Sequence, residues 1–321
     1  MGINEIGVVG LGRMGGGLAD LAISKGYHVV GLTLGGAPRE LVEAGLVEVS
    51  DIAGFREKLQ PRRVVLLYIP AGPDVDAALD KLASSLEPGD IVVDGGNSYW
   101  GDSIRRHDRL KARGIDFVDL GTSGGLSGAR TGACFMAGGD KDVVATIEPL
   151  LKSLSVPDGF VHAGPPGSGH FVKLVHNGIE FGMLQAIGEG FDLLTRFHEP
   201  LDLDGVLECW RNGSVIRSWL IDLLAEAHSD DPTLSKTTRY IEDTGEVNWL
   251  VADALRMEAP IPVISQSVMQ LFASRDENGV WAKAIVAMRH GFGGHPFGPN
   301  ASVVAERREG RVGDIYRPKT V

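Results

Sequence analysis

The chain has 321 residues, 43% hydrophobic and 23% charged: enough for one large core or two ordinary ones, and too apolar for disorder, so two domains are expected. Its formal charge is −11, from 31 basic and 42 acidic residues with no basic tract, which argues against nucleic acid or an anionic membrane as the main partner. Cys134 and Cys209 match no zinc or redox spacing, no apolar run approaches the roughly 20 residues a bilayer requires, and no signal peptide opens the chain, so a soluble, cytoplasmic protein is expected.

In chain order, short β-branched runs alternate with helical stretches. Strands are expected at 6–9, 29–32, 64–68, 91–93, 117–120, 134–136 and 160–161, and amphipathic helices at 14–25, 74–86 and 103–112. This rhythm predicts an α/β fold, a Rossmann-type doubly wound parallel sheet. After Gly164-Pro165-Pro166-Gly167 the pattern turns all-α: one long helix over 170–197, then helical periodicity at 206–210, 218–227, 248–256 and 262–272. The expected domains are therefore 1–166, binding a dinucleotide, and 167–321, a helical domain for substrate and dimerisation. The polar end, 306–321, is expected to be mobile or docked on a partner.

Glycine is the outlier, with 44 residues clustered where strands should end. Gly10-Leu11-Gly12-Arg13-Met14-Gly15 follows the first strand and opens the first helix. There the first two glycines permit a tight turn and close approach of a pyrophosphate, and the third lets helix pack on strand. A plain glycine-rich turn is the bland alternative. An NAD site normally carries an acid at the end of the second strand to hold the ribose hydroxyls. Here the residues are Leu32-Thr33-Leu34-Gly35-Gly36, with no acid at Thr33 and no Arg at the strand end; Arg13 and Arg39 are the nearest cations. The expectation is NADP or NAD, leaning to NADP, with Thr33→Asp shifting preference toward NAD.

Farther on, Lys173, Asn177 and Glu180 recur at i, i+4 and i+7 and share one helix face. From spacing alone, this is either an acid/base array beside glycine-rich turns or a solvated Lys-Glu pair. The scattered histidines form no helical ligand pair, so no metal site is expected. Tyr68-Ile69-Pro70-Ala71-Gly72 stands either at the cofactor edge of the sheet or in a plain turn.

The segment from Gly167 to Glu180, with its Gly-x-x-Lys-x-x-x-Asn core continuing Val175-His176-Asn177-Gly178-Ile179-Glu180, resembles the catalytic helix of 6-phosphogluconate dehydrogenases within the 3-hydroxyacid dehydrogenase superfamily. Further matching blocks are the nucleotide loop, Asp94-Gly95-Gly96-Asn97-Ser98, Thr122-Ser123-Gly124-Gly125, Gly213-Ser214-Val215-Ile216-Arg217-Ser218-Trp219 and Arg289-His290-Gly291-Phe292-Gly293-Gly294-His295. The length is similar to the short form of the family.

The resemblance implies oxidative decarboxylation of 6-phosphogluconate in the pentose phosphate pathway, by a homodimer or homotetramer using NADP or NAD and no metal. Lys173 would take the proton of the C3 hydroxyl and then polarise the ketone; Glu180 would protonate C1 of the enediol. Asn97, Ser123, Gly124, Gly125, His176 and Asn177 would hold the sugar acid, and Asn97 would also touch the cofactor beside Gly10, Leu11, Gly12, Arg13, Met14, Gly15 and Thr33. Arg289 and His295 would form a distal anion pair reaching a partner subunit's site.

Two departures bear on the terminal phosphate. Phe181 stands where the family usually has Tyr, and Val247 and Asn248 replace a glycine and a basic residue before Trp249. Arg275 is either a compensating charge or a solvated helix-terminal residue. The rival readings are a 3-hydroxyacid dehydrogenase that does not decarboxylate and a non-catalytic, redox-sensing nucleotide-binding protein. Glu180 and the Arg289/His295 pair oppose the first, and intact Lys173, Asn177 and Glu180 the second. Carbon dioxide release from a panel of sugar acids separates them.

Overall fold

The computed structural model describes residues 3–309. Two compact units emerge: the first contains the chain through Gly178 together with Gly245–Glu258, the second Ile179–Thr244 and the chain from Ala259 onward.

The first unit alternates strand and helix as its sequence predicts. Its elements are β1 (Glu5–Val9), α1 (Arg13–Ser24), β2 (His28–Leu32), α2 (Arg39–Ala44), β3 (Val47–Glu48), α3 (Ala53–Lys58), β4 (Val64–Leu67), α4 (Pro73–Ser85), β5 (Ile91–Asp94) and α5 (Trp100–Lys111), followed by β6 (Asp116–Ser123), α6 (Gly125–Thr131), β7 (Ala133–Gly139), α7 (Lys141–Ser153) and β8 (Ser155–Gly164). They form one eight-stranded sheet in the order β3-β2-β1-β4-β5-β6-β7-β8. All residues of β4 and β5 are buried, the mark of central parallel strands covered by helices on both faces. Side chains alternate between those faces. Ile6, Val8 and Val29 join a cluster with Leu18 of α1 and Ile147 of α7, while Val9 and Val30 join Phe55, Leu79, Leu82 and Leu110 from α3, α4 and α5.

The Rossmann-type class stands, with one antiparallel step. β7 runs antiparallel to β6, and β8 runs parallel to β7. Only residues 124–132 separate β6 from β7, fewer than the dozen or so that a parallel crossover needs, so the chain turns back. β6 also runs past the expected residue 120 to Ser123, and the two-residue β3 is too short to show a pattern.

The second half is helical. α8 (Ser168–Thr195) is the long helix expected at 170–197, and it is followed by α9 (Leu203–Gly213), α10 (Trp219–Asp230), α11 (Glu246–Arg256), α12 (Pro262–Arg275), α13 (Val280–Gly293) and α14 (Ala301–Glu309). Asp202 caps α9 by accepting from Gly205 N, and Ser218 caps α10 by accepting from Ile221 N. α13 and α14 carry no clear apolar stripe and were not foreseen; α14 covers the start of the tail expected at 306–321, whose residues 310–321 lie outside the described residues.

The expected boundary at 166 and the division into compact units differ. The first turns of α8 lie on the sheet itself: a Cβ on Gly169 would stand 2.4 Å from Asp119 O and 2.5 Å from Met136 O. Backbone approach this close keeps the start of α8 in the first unit, so the units part inside the helix, at Gly178 and Ile179, and α11 also belongs to the first unit. Among the described residues, no helix is long and apolar enough to cross a membrane.

Candidate active site

The sheet order reverses at β1, between β2 and β4, and a crevice for a ligand is expected beyond the carboxyl ends of these strands. The loop of residues 10–15 lies there, and its three glycines answer different demands. Gly10 has φ +91°, and a Cβ on it would stand 2.3 Å from Tyr68 O; one on Gly15 would stand 2.0 Å from Gly10 O. Both are required by the protein's own packing. Around Gly12, however, a Cβ would meet nothing within 4 Å, although Gly12 is the N-cap of α1 and its φ of −71° suits any residue. No side chain caps α1 and its first turn holds no acid, so the exposed N–H groups there suit an anion such as a pyrophosphate. The loop therefore fits a dinucleotide.

Tyr68, just past β4, is the hub of the strand ends. It backs Gly10 and Gly15, its ring fills the space a Cβ on Gly95 would take, and its hydroxyl lies 3.1 Å from Thr122 Oγ1. Burial pushes the phenol well above its usual pKa and keeps it neutral.

Asn97 sits in the loop after β5, which is fixed from below. Fully buried Asp94 accepts hydrogen bonds from Gly96 N (3.1 Å) and Ser98 Oγ (2.8 Å). Buried Arg106 of α5 pairs with Asp94 at 3.4 Å and Asp76 at 3.1 Å and donates to Ser98 Oγ at 3.2 Å, holding the Asp76 carboxyl below the usual carboxylate range. On the other side of Asn97, Tyr99 Oη and Trp100 Nε1 donate to buried Asp253 of α11 at 2.9 and 2.7 Å.

Lys173, His176 and Asn177 project from the first half of α8. Gly121 at the end of β6 makes room for Lys173: a Cβ on it would stand 2.6 Å from Lys173 Cβ. Lys173 Nζ lies 3.4 Å from His176 Nδ1, and His176 Nε2 lies 3.1 Å from Ser123 Oγ. With Nδ1 unprotonated, His176 accepts from Nζ and donates Nε2–H to Ser123; with Nδ1 protonated, it donates to Asn177 Oδ1 and accepts from Ser123 Oγ, so in either tautomer the ring links the Lys173 and Asn177 side of α8 to Ser123. Asn177 Oδ1 is 3.3 Å from His176 Nδ1, and its Nδ2 donates to Asn97 Oδ1 at 3.4 Å. The structure thus gathers Asn97, Ser123, Lys173, His176 and Asn177. Gly124 and Gly125 follow Ser123 with φ of +112° and +58°, a backbone that only glycine adopts without strain, and they open α6. Glu180 continues the Lys173 and Asn177 face of α8, past the point where the units divide.

The remaining expected residues lie in the second unit. Arg275, at the end of α12, donates to Asp243 at 2.7 Å and stacks over Phe272, so its charge is already met. Arg289 is exposed on α13; His295 follows that helix, and its carbonyl lies 2.8 Å from His290 Nδ1. Arg13 lies within the nucleotide loop as the first residue of α1, Thr33 follows Leu32, whose carbonyl accepts from Gly10 N at 2.8 Å, and Arg39 is paired with Glu43 at 2.6 Å.

Sequence reasoning missed the supports. Asp119 is fully buried on β6 and accepts from Gly167 N (2.7 Å) and His170 N (2.8 Å), capping α8 from a neighbouring strand. Ser103 Oγ lies 2.7 Å from His170 Nδ1 in the same buried layer. The available signal was an acid inside an apolar run, at Asp94 and Asp119, since a carboxylate tolerates such a place only with donors aimed at it.

Comparison with known proteins fits this arrangement. A family model described as the NAD binding domain of 6-phosphogluconate dehydrogenase matches residues 5–163, and one described as the 6-phosphogluconate dehydrogenase C-terminal domain matches 169–200 and 198–305. The Bacillus subtilis protein named "Putative 6-phosphogluconate dehydrogenase YqeC" is 40% identical over 292 residues, 91% of this chain and 98% of its own. An NAD(+)-dependent, decarboxylating 6-phosphogluconate dehydrogenase of Haloferax volcanii is 38% identical over 294 residues, covering 91% of this chain and 97% of that one. The solved Plasmodium falciparum 6-phosphogluconate dehydrogenase superposes with a TM-score of 0.77 at 28% identity, over 92% of this chain but 66% of that longer one. With both halves matched and two relatives aligned almost end to end, the chain belongs to the 6-phosphogluconate dehydrogenase family.

Proposed function

We propose that the protein catalyses oxidative decarboxylation of 6-phospho-D-gluconate to D-ribulose 5-phosphate and carbon dioxide, with reduction of NADP or NAD, as in gluconate use through the pentose phosphate pathway. The observation that carries this reading is the chain from Lys173 through His176 to Ser123, with Asn177 and Asn97 alongside.

A nicotinamide dinucleotide on the loop of residues 10–15 supplies the acceptor for the hydride leaving C3. Lys173, its Nζ oriented by His176, takes the proton of the C3 hydroxyl as that hydride departs. Now charged, Lys173 hydrogen-bonds the new ketone, so the electron pair of the breaking C1–C2 bond flows toward that oxygen and carbon dioxide leaves. The proton on Lys173 passes to the oxygen as the enediol forms; Glu180 then protonates the terminal carbon of the enediol while Lys173 takes the hydroxyl proton back, giving the ketose. Asn97, Asn177, Ser123 and the backbone at Gly124 and Gly125 hold the hydroxyls and carboxylate.

Arg289 and His295 are assigned the terminal phosphate, across a homodimer. Arg275 is left out, because Asp243 already balances it, and Phe181 offers no hydroxyl. Lys173→Met is expected to abolish both NAD(P)H formation and carbon dioxide release, because one amine serves both steps. Glu180→Gln is expected to slow turnover by about 10²-fold or more at the final protonation. A Lys173→Met enzyme with near-normal turnover would overturn the mechanism.

A further inference from the structure

The second strand ends without the acid that commonly holds the adenosine ribose, yet the structure brings a carboxylate to the same place from the next strand. β3 lies at the sheet edge beside β2, with Gly31 and Glu48 as register partners. Paired residues of a ladder share a face, and the face is fixed by Gly31, where a Cβ would stand 2.9 Å from both Leu11 and Leu46. This is the side on which α1 starts and the nucleotide loop lies. From there Glu48 Oε1 accepts a hydrogen bond from Ala37 N at 2.7 Å, and it lies 3.7 Å from where a Cβ on Gly36 would be. The β2 to α2 loop thus closes over a carboxylate whose other oxygen, Oε2, makes no hydrogen bond among the described residues.

The rest of the loop offers an extra phosphate little. Leu34 is fully exposed, Gly35 and Gly36 have φ of +85° and +92° and no side chains, and Glu40 adds a second acid in the first turn of α2. Arg39 is already paired with Glu43, which leaves Arg13 as the remaining nearby cation.

We propose that Glu48 is the specificity-determining carboxylate of this site, selecting a ribose with a free 2'-hydroxyl, so that the protein takes NAD in preference to NADP. This runs against the NADP lean drawn from Thr33, because the acid arrives from β3, about 15 positions later than the strand-end rule places it. The inference rests on residues 10–15 being the nucleotide loop, and not on the decarboxylation step.

The test is calorimetric titration of the full-length protein with NAD and with NADP, without substrate. The wild type is expected to bind NAD more tightly. Glu48→Gln keeps an oxygen for Ala37 N and removes only the charge. It should tighten NADP binding by about five- to tenfold at low salt and weaken NAD binding by a smaller factor, so that the two affinities move in opposite directions, and lose most of the NADP effect at about 0.5 M salt, where screening is short-ranged. A wild type that binds NADP as tightly as NAD, or a Glu48→Gln protein in which both affinities move together, would overturn the proposal, as would failure to bind either cofactor. NAD selectivity set by Glu48 in a protein that releases no carbon dioxide from 6-phosphogluconate would leave the proposal standing and remove the decarboxylation reading instead.

Discussion

At the scale of the residue, the nucleotide loop separates what the fold needs from what the ligand needs. Gly15→Ala drives a Cβ to 2.0 Å from a backbone oxygen, so it should cost roughly 2–3 kcal/mol in chemical denaturation. Gly12→Ala meets nothing, so stability should change by less than about 1 kcal/mol, while dinucleotide affinity should fall tenfold or more, because the new methyl occupies the pyrophosphate approach. Equal effects of the two variants on stability would contradict this division. The sequence showed all three glycines and their context, but not which one is reserved for the ligand, since that depends on Tyr68 crossing behind the loop. The missing acid at Thr33 was equally plain in the sequence. The acid at Glu48 was hidden because it becomes a neighbour only through strand pairing, in a strand of two residues.

At the scale of the element, α8 carries the residues to which the proposed chemistry is assigned, and the placement of its start depends on β6. The helical spacing of Lys173, Asn177 and Glu180 was legible from sequence, as was the helix itself. What fixes its start was not: Asp119 receives two backbone N–H groups from a segment about 50 residues later. Asp119→Asn retains one acceptor oxygen and turns an N–H donor toward the second amide. The variant should lose about 1–3 kcal/mol of stability and should lower kcat more than it raises KM, because Lys173 lies one turn beyond His170. An unchanged kcat would show that the cap serves folding alone. The antiparallel β7 was missed for a similar reason, since strand direction follows from the length of the connection and not from the composition of the strand.

At the scale of the whole molecule, the second unit exposes surface that a solitary chain rarely carries. No residue of α13 is buried, and Trp281, Met288 and Phe292 are 65%, 62% and 77% exposed on it. Such a helix calls for cover, and the proposed homodimer supplies it. Sedimentation at micromolar concentration should therefore give a dimer or tetramer, and Trp281→Glu should shift it toward monomer with loss of activity. A monodisperse, fully active monomer would contradict that assembly and leave Arg289 and His295 without a neighbouring site. The central claim, that the Lys173 cluster couples hydride removal to loss of carbon dioxide, is tested most directly by stoichiometry. With 6-phosphogluconate labelled at C1, the account predicts one labelled carbon dioxide for each NAD(P)H formed, and neither product from the Lys173→Met protein. NAD(P)H formed from a hydroxy acid without release of the label would contradict it and make the protein a non-decarboxylating hydroxyacid dehydrogenase.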